Sequence, residues 1–288
     1  MNKKTVALFL TICFFCKAQS QQIYIKAYTQ YHLSISSEAA PQYFFPGYAL
    51  GYFAYNVTSD IKDFSIASGF KYGGAVGYQL NNVLGIETGI DYFSTKRNIK
   101  ADVVPFAFAA TTKWDYQCIQ ASPLLTARKA VSKSSLIIKA GPIIGMAWLK
   151  NTVQAGDYLS RTYQLEKHLT LGYTMGIEYD CKLSSILSLL LECGLEHSSY
   201  TPSKAKLEAI TVPGNTSVAA QSEYLRKIEY VKQVRNLDVS YSYSTNYFSG
   251  NYISDQTRPE IRIKQSMNFN TAYFGIGIKY NIGGNAKK

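Results

Sequence analysis

The last regular stretch of the chain reads TAYFGIGIKYNIGG, residues 271–284. Large apolar side chains occupy one parity of this stretch, whereas glycine, lysine and asparagine occupy the other. Such strict alternation predicts a β-strand with two unlike faces. A half-buried strand of a soluble sheet rarely has two glycines on its polar, solvent-facing side. The stretch therefore indicates a strand with lipid on its apolar side and a crowded interior on the side of Gly275, Gly277 and Lys279.

Seven further segments alternate in the same way, and they lie at 23–34, 64–80, 83–96, 113–129, 135–149, 168–180 and 186–200. Short and long connections alternate along the chain. The short ones are 81–82, about 130–134 and about 181–185, and the long ones are 35–63, 97–112, 150–167 and 201–268. An antiparallel meander with short turns at one end and long loops at the other is typical of outer-membrane barrels. The sequence predicts an all-β, closed antiparallel up-and-down transmembrane β-barrel of eight strands, or ten if 201–268 adds a hairpin.

Glycines and charges share the face opposite the apolar one. Thirteen glycines fall in the eight segments, and all but Gly74 have the polar parity. An eight-stranded barrel is barely wide enough for side chains, which favours glycine inside it. Equal numbers of cations and anions have the same parity and predict an interior network of ion pairs. Its members are Lys26, Lys71, Glu87, Asp91, Arg128, Lys139, Glu178, Glu192, Glu196 and Lys279.

Aromatic residues lie near both ends of the apolar face, as in the girdles of membrane barrels. Phe64, Tyr92 and Trp148 are expected toward the long connections, and Tyr78, Tyr179 and Tyr280 toward the short ones. A soluble β-sandwich or a lipocalin-like barrel would instead need an apolar interior. We expect no apolar core here, because the inner face is too rich in glycine and charge.

The N-terminus has the order of a secretory signal peptide. Two lysines in MNKK precede the apolar run TVALFLTICFF, which is too short to cross a bilayer as a helix. Small residues follow, so cleavage after Ala18 or Ser20 is expected. This interpretation divides the chain into a signal peptide, 1–18, and an outer-membrane barrel domain, 19–288.

The remaining cysteines do not suggest a disulfide framework or a metal site. Cys118, Cys181 and Cys193 are odd in number and irregular in spacing. The sequence contains neither a CxxC or histidine-rich metal pattern nor a glycine-rich phosphate loop. We therefore expect no cofactor.

The sequence resembles the PorT-like outer-membrane β-barrel proteins of Bacteroidetes, which are small barrels of the OmpA/OmpX type. The likeness rests on KAQSQQ (17–22), GIETGIDY (85–92), LGYTMGIEYD (171–180) and YFGIGIKYNIG (273–283). It implies an outer-membrane location with both termini in the periplasm, and a link to protein secretion. Barrels of this class often end on an aromatic residue that the barrel assembly machinery reads. Here GNAKK follows the last strand, so Tyr280 is the candidate for an internal signal.

The largest feature outside the predicted strands is the connection 201–268. It contains EYLRKIEYVKQVRNL (223–237), a candidate amphipathic helix or hairpin strand, and the tyrosine-rich DVSYSYSTNYFSGNY (238–252). A loop of this length usually folds or binds something. Two interpretations stay open at this stage: a surface for an envelope protein partner or a glycan, and a folded lid that caps the barrel.

The net positive charge of the chain gives a weaker indication of its surroundings. The formal net charge is +11, and it would fall by the three lysines of the signal peptide on cleavage. Basic loops suit the negatively charged outer membrane and its lipopolysaccharide. Nucleic acid is not an expected partner in this compartment.

Two alternatives to a non-catalytic anchor or complex subunit stay open. His197 and Ser199 form a His-x-Ser pair of the kind used by lipid A deacylases of barrel form, in which the histidine is the general base. That family continues with asparagine, whereas this chain has Tyr200, and no orienting acid is evident. The second alternative is a small-solute pore, which a ten-stranded barrel would favour.

Overall fold

A computed structural model describes residues 22–35, 67–103, 108–132, 134–155, 159–211, 218, 221, 226–231, 260–263 and 267–282. The predicted signal peptide (1–18), Phe64 and the tyrosine-rich segment 238–252 lie outside these ranges. Within the described part of the chain, no helix is long and apolar enough to cross a membrane.

The strands follow one another as β1 Gln22–Ser34, β2 Gly69–Gln79, β3 Leu84–Val103, β4 Phe108–Val131, β5 Ser134–Ala155, β6 Leu159–Leu165, β7 His168–Lys182, β8 Leu187–Tyr200, β9 Lys204–Thr211, β10 Lys227–Val231, β11 Glu260–Ile263 and β12 Met267–Ile282. Eight of them close a barrel in the order β1-β2-β3-β4-β5-β7-β8-β12, with β12 pairing back onto β1. All the pairings in this ring are antiparallel. The predicted eight-stranded barrel is confirmed.

The register of the pairs fixes the stagger of the barrel. Cross-strand partners can be followed from Leu84 on β3 once around the ring, and the path returns to β3 at Ser94, ten residues further along. The path runs Leu84, Ala127, Ile138, Ile177, Cys193, Phe274, Tyr31, Phe70, Ser94. Eight strands with this stagger tilt by roughly 35–45° and enclose an interior just wide enough for side chains.

One end of the barrel, which we call the turn end, has short connections. The side-chain oxygen of Asn81 accepts hydrogen bonds from the backbone N–H groups of Val83 (2.8 Å) and Leu84 (2.7 Å). Strand pairing therefore stops before this turn, and the connection spans residues 80–83 rather than the two-residue turn predicted at 81–82. Ser184 accepts from Leu187 (3.1 Å) in the same way in the connection between β7 and β8.

At the opposite end, the loop end, the wall continues upward on one side. The first part of β5 pairs with β7, but its last residues, Lys150–Ala155, pair with β6. Strand β6 then pairs with β9, β9 with β10, and β10 with β11. We call these four added strands the annex. The predicted loops 97–112 and 150–167 are therefore largely strand. Strands β9, β10 and β11, which lie within the predicted connection 201–268, extend the sheet without entering the barrel, so the ten-strand alternative is wrong.

The loop end contains an apolar core, which we call the cap core. Its members are Ala67, Phe93, Trp114, Tyr116, Cys118, Ala147, Leu149, Tyr163, Leu165, Tyr200, Ala205, Leu207, Ile210, Ile228, Met267 and Phe269. The expectation of an interior without an apolar core is wrong for this half. Phe93, Tyr116 and Leu149 lie inside the predicted strand segments. The inner face was judged by its glycines and charges, whereas these three apolar residues share the inward parity of their strands and belong to the cap core.

Candidate functional site: the barrel interior and its loop end

Five of the predicted interior charges form one buried cluster in the middle of the barrel. The ammonium of Lys26 lies 2.5 Å from Glu87 and 2.7 Å from Glu178. Lys139 lies 2.8 Å from Glu192, 3.4 Å from Glu178 and 3.9 Å from Glu87. These side chains are at most 5% exposed. Buried charges are tolerated only when each is paired and hydrogen-bonded, so the five residues depend on one another.

Two further ion pairs flank this cluster along the barrel axis. Lys71 pairs with Glu196 toward the loop end. Lys279 lies 2.5 Å from Asp180 toward the turn end. The sequence analysis did not include Asp180, although it follows Glu178 by two positions and therefore shares its face. Asp180 is the last residue of the predicted segment 168–180, and the inward residues were assigned only as far as Glu178.

The remaining two predicted members do not pair with an opposite charge in any contact of the described residues. Arg128 donates to the hydroxyl of Ser135 at 2.9 and 2.7 Å. Asp91 accepts a hydrogen bond from the hydroxyl of Tyr28 at 2.6 Å. Tyr28 was not among the candidate residues. It has the same inward parity as Lys26, which is the signal that could have identified it.

The interior tyrosines explain several of the inward glycines. A Cβ on Gly77 would overlap the ring of Tyr24, and a Cβ on Gly73 would overlap the Asp91 carboxylate beside Tyr28. The hydroxyl of Tyr24 in turn donates to Glu87 at 2.9 Å. Glycine lets each ring approach the wall closely while the hydroxyl of Tyr24 reaches Glu87 and that of Tyr28 reaches Asp91. Any side chain at these glycines would block that approach.

The ion pairs give way to the cap core near the Lys71–Glu196 pair. His32 stacks on Tyr273 with ring centroids 5.2 Å apart, and its Nδ1 lies 2.9 Å from the hydroxyl of Thr271. Above this level Tyr116 packs against Phe269, with centroids 4.6 Å apart. A cavity of about 10 Å³ lies at the boundary, lined by His32, Cys118 and Glu196 among others. That volume holds about one water molecule, so the described residues leave little space at this boundary.

The predicted girdle residues that are described all have the outward parity. Tyr92, Tyr179 and Tyr280 are exposed, while Tyr78 and Trp148 are half-buried. The indole N–H of Trp148 donates to Gln117 at 3.1 Å. The sequence analysis overlooked the pair Tyr31 and Phe70 on neighbouring strands, whose ring centroids are 4.9 Å apart. Contact of these rings with lipid headgroups stays a prediction.

His197 and Ser199 lie on the outer face of β8 and make separate contacts. The Nδ1 atom of His197 lies 2.6 Å from the side-chain oxygen of Asn270, and its ring stacks near Tyr173. The hydroxyl of Ser199 donates to the carbonyl of Leu171 at 3.4 Å. A general base must contact the nucleophile it activates. Among the described residues, His197 bonds to Asn270 and Ser199 to Leu171, and the two do not bond to each other.

The comparison with family models decides the class of protein. A model of the outer membrane protein beta-barrel domain matches residues 32–182, which is just over half of the chain. The chain belongs to that family. It is accordingly a protein of the bacterial outer membrane, and the apolar outer face described above is its lipid-facing surface.

Solved structures to which the chain is similar include two of Ail, the attachment invasion locus protein of Yersinia pestis. The first is 11% identical, with a TM-score of 0.32, and covers 91% of this chain and 97% of that one. The second, a complex with the heparin analogue sucrose octasulfate, is 10% identical with a TM-score of 0.31 and the same coverage. A Pseudomonas aeruginosa FadL homologue is 7% identical, with a TM-score of 0.18, and covers 90% of this chain and 89% of that one. No curated protein matches the sequence.

Proposed function

We propose that the protein is a closed, non-catalytic outer-membrane barrel that anchors a folded cap and presents it to a protein partner in the cell envelope. The observation that carries the proposal is the filled interior. Ion pairs and tyrosines occupy the turn half, and the cap core occupies the loop half. A barrel without an aqueous path has to act through its surfaces, and the loop end carries the most elaborate surface.

The described part of 201–268 supports a cap in which one face folds and the other faces outward. Leu207, Ile210 and Ile228 are buried in the cap core. The residues directly before Leu207 and Ile228, Lys206 and Lys227, have the opposite parity and are exposed. Burial of the inner face stabilises the annex, and its outer face stays available for contact. The lid and partner-binding interpretations of this connection are therefore compatible.

Crosslinking in intact outer membranes, followed by affinity purification of the full chain, tests the proposal. We expect one stoichiometric envelope protein to co-purify. Replacing 238–252 by a glycine-serine linker of equal length should remove that partner while β9 and β10 keep the cap covered. A chain that is recovered alone in repeated experiments would contradict the role as a complex subunit.

We further propose that the loop end faces the cell exterior and that both termini are periplasmic. An even number of barrel strands places both ends of the chain on the side of the short turns. Lys206→Cys and Lys129→Cys would report this in whole cells with a membrane-impermeant thiol reagent. Labelling of the first and not the second supports the orientation, and the reverse pattern contradicts it.

The resemblance to PorT-like proteins suggests protein secretion as the process in which the partner acts, and Tyr280 as the assembly signal. A deletion strain that secretes normally would contradict the first part. Tyr280→Ala should slow insertion by the barrel assembly machinery, and Tyr179→Ala, at the same end of the barrel, is the matched control.

The non-catalytic interpretation is tested at the one pair with catalytic residue types. Lipid A extracted from cells with the native chain and with His197→Ala should carry the same acyl chains. Loss of one acyl chain only in the presence of His197 would instead support a deacylase.

A further inference from the structure

A buried arginine in the annex has no counter-ion among the described residues. Arg161 lies on β6, two positions after Leu159, which pairs with Ala155 at the tip of the β5–β6 hairpin. It shares the inward parity of Tyr163 and Leu165, and it is only 9% exposed. Within the described part of the chain, its Nε and Nη1 atoms have no hydrogen-bond acceptor. The cap thus holds an unpaired guanidinium close to its outer end.

The nearby carboxylates do not compensate this charge, because they lie on the other face of the wall. Those described on or beside β4, β6, β9 and β10 all have the outward parity, and they are Asp115, Glu166, Glu208 and Glu229. Glu208, for example, lies 2.9 Å from Lys150 on the outer face. The inward Glu196, at the boundary with the ion-pair half, pairs with Lys71. None of these groups is therefore a counter-ion for Arg161.

The immediate surroundings of Arg161 are apolar. It stands opposite Val153 on β5 and Ile210 on β9, and both are buried. A β-bulge leaves two exposed residues between Leu207 and Ile210, so that both of these apolar side chains face inward. An arginine keeps its charge in proteins, and a buried charge without a partner is very costly. The functional state of the cap therefore needs an anionic group at Arg161.

A second buried group close to Arg161 needs a hydrogen-bond donor. Asn151 is 4% exposed, and its Oδ1 atom has no partner among the described residues. It stands opposite Tyr163, two positions from Arg161, so Asn151 and Arg161 are diagonal neighbours on the inner face. Diagonal neighbours lie roughly 7–8 Å apart, within reach of long side chains. The two residues thus offer a cationic donor and a neutral acceptor to one incoming group.

The chemistry of this pair of groups narrows the choice of ligand. A water molecule would satisfy a hydrogen bond of Arg161 but not its charge. Sulfate offers acceptors alone and leaves Asn151 without a donor. An acidic saccharide brings more hydroxyl groups than these two residues can satisfy among apolar neighbours, and unsatisfied buried hydroxyls are costly. An acidic residue of a polypeptide supplies one carboxylate and one backbone N–H, which matches what the two residues lack.

We propose that Arg161 and Asn151 receive an acidic side chain of the envelope protein that docks on the cap. Arg161 binds the carboxylate, and Asn151 accepts a hydrogen bond from the backbone N–H of the same segment. This recognition rests on the proposed function and names the group by which the partner is bound. Arginines in desolvated pockets are frequent hot spots of protein interfaces, and the hairpin tip lies at the end of the molecule where the partner is proposed to dock.

The first test is calorimetric titration of the full-length chain, folded in detergent, with the peptide N-acetyl-Gly-Asp-Gly-amide and its Gly-Asn-Gly counterpart. The aspartate peptide should bind about tenfold more tightly or better, as expected for a hydrogen bond to a charged group. Arg161→Met should abolish this preference. Arg128→Met removes a guanidinium that donates to Ser135 at the turn end and should leave the preference unchanged.

Thermal unfolding of the same variants tests whether Arg161 is unpaired in the isolated chain. Arg161→Met should not lower the midpoint, because it replaces a buried charge without a partner by an apolar side chain. Arg128→Met breaks existing hydrogen bonds and should lower the midpoint. A fall for Arg161→Met as large as for Arg128→Met would show that Arg161 already has a partner within the chain, which would overturn the proposal.

Three binding results would also overturn it. Equal affinities of the wild-type chain for the two peptides would show that Arg161 does not select a carboxylate. Sulfate binding as tight as that of the aspartate peptide, with the same dependence on Arg161, would indicate a site for a free oxyanion. Tighter binding of glucuronate would indicate a glycan.

Crosslinking in intact outer membranes separates this proposal from the proposed function. A partner that is recovered with the wild-type chain and lost with Arg161→Met supports both. A partner that is recovered equally with both chains leaves the proposed function in place and contradicts the role of Arg161. Recovery of the wild-type chain alone contradicts the proposed function and, with it, the partner assigned to Arg161.

Discussion

The two halves of the barrel interior have the same strand geometry but opposite chemistry. Toward the turn end the inward positions hold ion pairs, tyrosines and glycines, as around Lys26 and Lys139. Toward the loop end the same parity of the same strands holds Trp114, Tyr116 and Leu149. The closed ring at the turn half is narrow and sealed from outside by lipid, so polar groups inside it satisfy one another. At the loop half the wall carries an annex, which needs an apolar face to fold against.

The comparison teaches that alternation specifies which side of a strand faces inward, but not what the inside is made of. The composition of the interior depends on what surrounds it. In the turn half this is a closed ring of strands in lipid, and in the loop half it is the additional sheet of the annex. The stability of the two halves should accordingly depend on different kinds of interaction, and substitutions in each half should separate them.

The largest effect is expected in the central ion-pair cluster. Glu178→Leu removes the carboxylate that contacts both Lys26 and Lys139 and leaves two buried ammonium groups short of a partner. Breaking a buried pair in this way costs about 3–5 kcal/mol. Urea unfolding in lipid vesicles measures the change in the free energy of unfolding. Asp115→Asn, which removes an exposed pair, is the control and should cost about 1 kcal/mol or less. Equal effects of the two substitutions would refute a structural role for the cluster.

The next largest effect tests whether the annex unfolds independently of the barrel. Leu207→Ala removes a buried side chain from the annex, and such truncations cost about 2–5 kcal/mol. Because the annex is attached to one side of a complete ring, we expect faster proteolysis at the loop end while the barrel strands stay protected. Limited proteolysis with mass spectrometry shows which strands are lost. Simultaneous loss of protection in β1 and β2 would mean that the two halves unfold as one unit.

A smaller effect tests the packing of tyrosine on glycine in the turn half. An alanine Cβ at Gly77 would overlap the Tyr24 ring, so Gly77→Ala should destabilise the barrel by about 1–3 kcal/mol. Gly74 lies on the outward face of the same strand, and its Cβ would meet only the backbone oxygen of Lys26, at 3.3 Å. Gly74→Ala is thus a matched control with an expected change below about 1 kcal/mol. Urea unfolding in lipid vesicles measures both variants, and equal losses of stability would contradict the packing of Tyr24 on Gly77.

The smallest effect is expected on the outer surface of the annex. Glu208→Gln breaks the ion pair with Lys150, whose side chain is 43% exposed. Exposed pairs contribute about 0–1 kcal/mol, so the midpoint of thermal unfolding should hardly move. A large loss of stability would show that this face is buried against another part of the chain.

Much of the fold was predictable because two-residue periodicity is a local property that survives in every barrel strand. The final strand, 271–284, and the clearest internal strand, 168–180, were placed within a few residues of β12 and β7. The continuation of β3–β5 beyond the barrel was not predictable. Its outward positions, such as Asn98, Thr152 and Gln154, are polar. The apolar outward parity that identified the barrel strands therefore stops there.

The interior charges were predictable as a set, but their partners were not. Parity places Lys26 and Glu178 on the inner face, yet only the stagger of the ring brings residues 152 positions apart within 2.7 Å. The same stagger pairs Lys279 with Asp180, a residue that the sequence analysis passed over.

The central claim is that this barrel is filled along its length and acts through its surface. The most direct measurement is the conductance of the purified full-length chain in a planar lipid bilayer, with an open-channel porin as the positive control. Our account predicts a silent membrane at every voltage at which the control conducts. Reproducible conductance steps from the folded chain would contradict it and would make the barrel a small-solute pore.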